Sequence, residues 1–184
     1  MSFSGAFQLP GNLVMRLARP DDRDFLLDLF IEARPWLGWV DREAEFIRFL
    51  YEDQNRIANA GAGAAYPEHL DFVIESAGER CARLRIDLGH ADWRVTDLQV
   101  RTAARGKGVG EGVLRAVQEV AKTQKMPVTL ATPTTVGSAR GFYERLGFVV
   151  AEIRHPVLQM VWYPPGHPRA GAPTDVARAA FGTI

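Results

Sequence analysis

Gln99-Val100-Arg101-Thr102-Ala103-Ala104-Arg105-Gly106-Lys107-Gly108-Val109-Gly110 decides how this chain is read. An apolar helical stripe follows at once in Val109, Val113, Leu114, Val117 and Val120. The stretch therefore reads as a strand end, a Gly-rich basic loop and a helix start. The first turn of a helix has N–H groups without an intrahelical acceptor, which makes it an anion site. Arg105 and Lys107 bring positive charge to the same place, so the expected ligand is a pyrophosphate. A merely capped surface helix would not need Gly106, Gly108 and Gly110 so close together, because each helical glycine costs about 1 kcal/mol relative to alanine.

Spacing removes two common phosphate loops. A nucleotide P-loop ends in Gly-Lys-Ser/Thr, whereas Gly106-Lys107 is followed by Gly108. The dinucleotide fingerprint Gly-x-Gly-x-x-Gly fails in both frames, with Val113 or Glu111 at the last place. The frame that does fit is Arg105-x-x-Gly108-x-Gly110. A second segment follows in Gly137-Ser138-Ala139-Arg140-Gly141-Phe142-Tyr143-Glu144-Arg145-Leu146-Gly147-Phe148. Ala139, Phe142, Tyr143 and Leu146 share one helical face, and Gly147 stands where a helix C-terminal glycine belongs. The first frame resembles the Arg/Gln-x-x-Gly-x-Gly/Ala loop of the GNAT acetyltransferase superfamily. The second resembles that superfamily's Ala-x-x-x-Tyr-Glu-x-Leu-Gly-Phe signature. Order and separation match as well, and the resemblance runs from Leu13 to Trp162.

The 184 residues suffice for one domain with a full core. We divide them into a domain over 1–163 and a Pro/Gly/Ala-rich tail over 164–184, with a short helical turn expected from Asp175 to Phe181. Lys and Arg number 22, as do Asp and Glu, so the basic excess of a nucleic-acid binder is absent. Cys81 is the only cysteine, and His69, His90, His155 and His167 are scattered, so no metal site is expected. No apolar run approaches the ~18 residues of a membrane span. Met1 to Pro10 lacks the look of a signal peptide, and a cytoplasmic setting is expected.

Leu13 to Leu17 reads as a first strand, and Pro20 opens a helix whose Asp21, Asp22 and Asp24 suit the positive end of its dipole. A second helix is expected from Arg42 to Ile57 with Phe46, Phe49, Leu50 and Ile57 on its apolar side. Asn59 to Ala64 then reads as a flexible link. Three strands follow over Asp71–Ser76, Cys81–Leu88 and Asp92–Val100. After the glycine-loop helix come a strand at Val128–Thr132, the Tyr143 helix, and two strands at Phe148–Ile153 and Val157–Tyr163. This order predicts an α/β (α+β) fold, a mixed, mostly antiparallel sheet with helices on both faces. The final strand could serve as a dimer edge.

The resemblance implies a V-shaped split between the fourth and fifth of these strands that takes the pantetheine arm of acetyl-CoA. It implies that main-chain groups of Leu98, Gln99 and Val100 pair with that arm. Amides of Arg105, Gly106, Lys107, Gly108, Val109 and Gly110 would hold the pyrophosphate. The activity implied is direct acetyl transfer to an amine, small-molecule or protein. Tyr143 matches the tyrosine that protonates the leaving thiolate. The glutamate many members carry falls on Arg94, while Asp97 alternates to the other face and reads as a hydrogen-bonded or solvent-facing strand residue. A water chain could then accept the amine proton. The asparagine ahead of the tyrosine helix is replaced by Thr134-Thr135-Val136-Gly137, and Ser138 would make part of its contacts. These departures keep open a second reading, a non-catalytic CoA sensor on the same fold. Trp36, Trp39, Tyr51 and Tyr66 are the aromatics that could wall an acceptor pocket, although core packing accounts for each of them.

Overall fold

The computed structural model describes residues 5–171 except Val136. The side chain of Ser138 lies outside that description, as does the turn expected over Asp175 to Phe181. The elements are β1 (Ala6–Leu9), β2 (Leu13–Leu17), α1 (Arg23–Glu32), α2 (Ala44–Ala65), β3 (Leu70–Ser76), β4 (Glu79–Leu88), β5 (Trp93–Val100), α3 (Val109–Thr123), β6 (Val128–Pro133), α4 (Gly137–Arg145), β7 (Val149–Arg154) and β8 (Val157–Trp162). The strands form one sheet in the order β1-β2-β3-β4-β5-β6-β8-β7. The sheet is mixed with helices on both faces, as the sequence predicts. β5 and β6 run parallel, whereas β1–β2, β2–β3, β3–β4, β6–β8 and β7–β8 are antiparallel. The chain divides into two compact units, with boundaries at the last residue of β4, inside β5 and inside α3.

The first unit holds β1 to β4, α1, α2 and Asp97–Val113. Phe25 and Leu29 of α1 pack on Val73 of β3. Pro20–Asp22 is a short 3-10 turn ahead of α1. Asp22 stands immediately ahead of α1, at the end of the helix where the sequence places it, and it has a further partner. It is fully buried and takes two bonds from Arg16, Nη1 at 2.7 Å and Nη2 at 2.9 Å. Arg19 N–H adds a third bond at 2.8 Å. β1, which the sequence reading did not anticipate, is a short and mostly exposed strand paired with β2.

α2 corrects the sequence reading twice. It continues through Asn59–Ala64, so Gly61 and Gly63 are helical and the segment is no link. Ala60, Ala62, Ala64 and Ala65 are strong helix formers and offset the two glycines. Its expected apolar side also faces out, with Phe46 47% and Phe49 63% exposed. The inward positions are Tyr51, which is buried, and the polar Asn59, whose Oδ1 accepts from Arg85 Nη2 at 2.8 Å. A helix that docks onto buried arginines turns a polar face inward, and apolar periodicity then points the wrong way. Trp36 and Trp39, read as core or pocket walls, are 53% and 80% exposed.

The second unit holds Leu88–Thr96 and the chain from Leu114 onward. Leu114, Val128, Leu130, Phe148 and Met160 are among its largest fully buried apolar side chains. Val120, assigned to the apolar stripe of α3, is exposed, and Ala121 is buried in its place. α4 ends as its sequence predicts. Gly147 has φ 83°, its N–H bonds Glu144 O at 2.9 Å, and Phe148 N–H bonds Tyr143 O at 3.1 Å. This is the paired closure of a Schellman motif. Gln118 Nε2 reaches Leu146 O at 2.8 Å and so ties α3 to the end of α4. β7 and β8 form a hairpin around His155-Pro156. Beyond β8, Pro164 is fully buried and the chain to Ala170 folds into turns.

Candidate active site

β5 pairs with β6 only over Trp93–Val95, opposite Val128–Leu130, although β5 continues to Val100. The strand residues assigned to the pantetheine arm, Leu98, Gln99 and Val100, lie in that continuation, within the first unit. On its β4 side the chain stays held at the end of β5, where Arg101 N–H donates to Cys81 O at 2.8 Å.

The glycine loop follows directly. Thr102–Ala104 forms a 3-10 turn, fixed by Thr102 N–H donating to a Glu32 carboxylate oxygen at 2.7 Å. Burial alone would push the Glu32 carboxyl up, but the Thr102 bonds and the charges of Arg101 and Arg105 hold its pKa below the ordinary value. Arg105 Nε turns back to Val100 O at 3.0 Å, which joins the loop to the strand end. Gly106 (φ 72°) and Gly108 (φ 79°) are left-handed, a conformation that favours glycine. Neither has anything within 4 Å of where a Cβ would stand. Gly112 N–H donates to Gly108 O at 2.8 Å and marks the start of α3. Val109 and Gly110 therefore present N–H groups that the helix itself does not use. Gly106, Lys107 and Gly108 are exposed, while Val109 is buried and anchors the turn. Leu98, Gln99, Val100, Arg105, Gly106, Lys107, Gly108, Val109 and Gly110 thus all lie in the first unit, with Gln99 and Val109 buried and Arg105 to Gly108 exposed. Open N–H groups at a helix start and two exposed cations are donors and charges that suit an anion.

Tyr143 lies in the second unit, half-buried in α4, with its ring edge-on to Phe142 and Phe148 at 5.2 and 5.9 Å between centroids. Arg94, where a glutamate was sought, is half-buried with Nη2 3.6 Å from Asp92 Oδ2. Asp92 is itself bonded by Thr129 Oγ1.

The first unit also carries a polar cluster that sequence reasoning missed. Val73 lies opposite Arg83, so Arg83 shares the sheet face on which α1 packs. Arg83 Nε donates to Asp71 Oδ1 at 2.8 Å, and Arg85 Nη2 donates to Asp71 Oδ2 at 2.9 Å. Burial works to raise the Asp71 carboxyl, but these bonds outweigh it and its pKa stays below the ordinary value. Asp97 has a weaker share, a single contact at 3.4 Å with Arg83 Nη1. Burial dominates there, and the Asp97 carboxyl is raised despite the nearby Arg83 and Arg34. Arg34 stacks on the Phe30 ring at 3.9 Å, and burial lowers its pKa. Its Nη1 is buried without a hydrogen-bond partner, and so is Gln99 Oε1. One signal was available: Arg83 and Arg85 alternate with Ala82, Leu84 and Ile86 in a strand buried on both faces.

Among the described residues no group of three or more His, Cys, Asp or Glu could hold a metal ion, and no helix is long and apolar enough to cross a membrane. No curated protein matches the chain closely enough to count as a relative. Solved structures share its fold. One is the PaiA N-acetyltransferase of Thermoplasma acidophilum in complex with coenzyme A, at 14% identity and TM-score 0.62, covering 82% of this chain and 98% of that one. An acetyltransferase of Thermus thermophilus is 18% identical with TM-score 0.58, covering 82% and 95%. The ribosomal-protein-S18-alanine N-acetyltransferase of Escherichia coli is 15% identical with TM-score 0.58, covering 82% and 93%. The model of the acetyltransferase (GNAT) domain matches residues 49–150, a span that takes in both the glycine loop and the Tyr143 helix. More than half of the chain answers to that model, and the protein belongs to the GNAT acetyltransferase family.

Proposed function

We propose that this protein transfers the acetyl group of acetyl-CoA directly to a primary amine. The observation that carries the reading is the loop from Arg105 to Gly110, whose backbone stands open at the start of α3 beside two exposed cations. Acetyl-CoA supplies the activated acyl group and a thiol leaving group. Main-chain groups of Leu98, Gln99 and Val100, in the part of β5 beyond its β6 pairing, hold the arm by strand augmentation. The N–H groups from Gly106 to Gly110 hold the diphosphate.

The attacking amine has to be neutral, whereas a lysine-type amine has a pKa of about 10.4 and is protonated at neutral pH. Proton acceptance is therefore part of the reaction. We assign proton donation to the departing sulfur to Tyr143, on its place in the second motif. The competing reading, a CoA sensor without turnover, draws on Arg94 standing where a carboxylate was sought.

The deciding measurement is free-thiol release from acetyl-CoA across a panel of amines, with Tyr143→Phe beside the parent chain. An enzyme releases thiol with some amines, and Tyr143→Phe lowers turnover about 100-fold or more while CoA affinity stays. CoA binding without thiol release from any amine establishes the sensor. Failure to bind CoA removes both readings.

A further inference from the structure

We propose that Asp97, Gln99 and Arg34 form the acceptor site, and that the acceptor is an amine that also carries a carboxylate, as an amino acid does. The proposal rests on the acetyltransferase reading above and names the substrate class for it.

The charges around Asp97 do not close among themselves. Arg83 and Arg85 on β4 reach Asp71 on β3, Arg83 also reaches Asp97 on β5, and Arg34, which follows α1, feels the Asp97 charge. His69 Nε2 also approaches Asp71, at 3.5 Å. Asp71 satisfies Arg83 and Arg85, with Asn59 as a further acceptor. Arg34 is the cation left over. It is close enough to Asp97 and Arg83 for their charges to act on it, yet Nη1 has no acceptor. A buried guanidinium N–H without a partner favours an incoming anion.

The complementary half is equally unfilled. Asp97 and Gln99 are two apart in β5 and share one face. Gln99 is 9% exposed, and its Oε1 accepts no bond. The side chain of Asp97 keeps 25% exposure and one long contact. Two acceptors suit an ammonium, and one donor beside them suits a carboxylate. A molecule that carries both groups offers a partner to the carboxylate, the amide oxygen and the guanidinium alike. An amine without a carboxylate leaves Arg34 as it is. Asp97 and Gln99 also belong to the strand, β5, that holds the segment assigned to the coenzyme arm.

The test is calorimetric titration of the intact protein, loaded with CoA, against matched pairs: leucine and isoamylamine, tryptophan and tryptamine, lysine and cadaverine. At least one amino acid should bind about tenfold or more tighter than its decarboxylated partner. Arg34→Met should abolish that difference and Arg34→Lys should restore part of it, with CoA affinity unchanged in both. Asp97→Asn should weaken amino acid and amine alike. The proposal is overturned if the plain amines bind as tightly as the amino acids, or if Arg34→Met keeps the preference. Binding of CoA with none of the six compounds also overturns it, while the acetyltransferase reading stands. Loss of CoA binding itself would instead remove the reading beneath it.

Discussion

Arg16 grips Asp22 with two parallel bonds of 2.7 and 2.9 Å, at a point where Asp22 has no exposure at all. Arg16 also reaches Glu75 at 2.7 Å, which joins β2, β3 and the turn before α1. The bond from Arg16 is the leading cause that holds the Asp22 carboxyl at about 2, against an ordinary 3.8. A depressed carboxylate stabilises the fold above its unfolded pKa and loses that contribution as pH falls toward its folded pKa. Acid unfolding should therefore show a stability loss between about pH 4 and pH 2 that Asp22→Asn abolishes. At pH 7 Asp22→Asn should cost about 1.5–3 kcal/mol, because the bonds from Arg16 lose their charged acceptor while Glu75 still pairs with Arg16. Urea unfolding of the variant checks both.

Asp97 titrates in the opposite sense. Desolvation raises its pKa in the fold, so the native state binds more protons than the unfolded chain just above the ordinary carboxylate pKa. Stability falls as pH rises through that window, and the cost persists at pH 7. Asp97→Asn should therefore leave the melting temperature at pH 7 unchanged or higher. A fall of several degrees would mean that the contact with Arg83 outweighs the burial.

Gly106 and Gly108 should differ sharply from the glycines of α2. At Gly108 the left-handed backbone makes Gly108→Ala cost about 1–2 kcal/mol of strain, although space is open. The added methyl enters the open space beside the loop. CoA affinity should fall about tenfold or more, read by titration calorimetry, with only a few degrees lost in melting temperature.

In α2 the same substitution should help. Gly61 and Gly63 lie inside the helix with nothing within 4 Å of an added Cβ. Gly61→Ala and Gly63→Ala should each stabilise the protein by about 0.5–1 kcal/mol and leave CoA binding untouched. Destabilisation by either would mean that this end of the helix does not persist in solution.

The parts of the fold that could be read from sequence were those where local chemistry and tertiary structure agree. Gly147 closes α4 as its position demands, and Gly106 to Gly110 form the turn into α3. What failed to read was set by partners distant in the chain. α2 runs on past Ile57 because alanines carry it, and its inward residue Asn59 answers to Arg85 on β4 rather than to any apolar stripe. Asp22 stands at the start of α1 as read, but its bond to Arg16 on β2 could not be read from the local sequence. The polar cluster around Asp71 escaped for the same reason, since Arg83 and Arg85 meet it only through the pairing of β3 with β4.

The bond from Thr102 N–H to Glu32 fastens the first turn of the glycine loop to the last residue of α1, two positions ahead of Arg34. A ligand drawn to Arg34 and a ligand lodged on the loop thus lean on one short piece of backbone. Occupancy of either should shift the affinity of the other by an equal factor. The two cosubstrates of this protein would then not be felt independently, and saturating one should change the half-saturation concentration of the other.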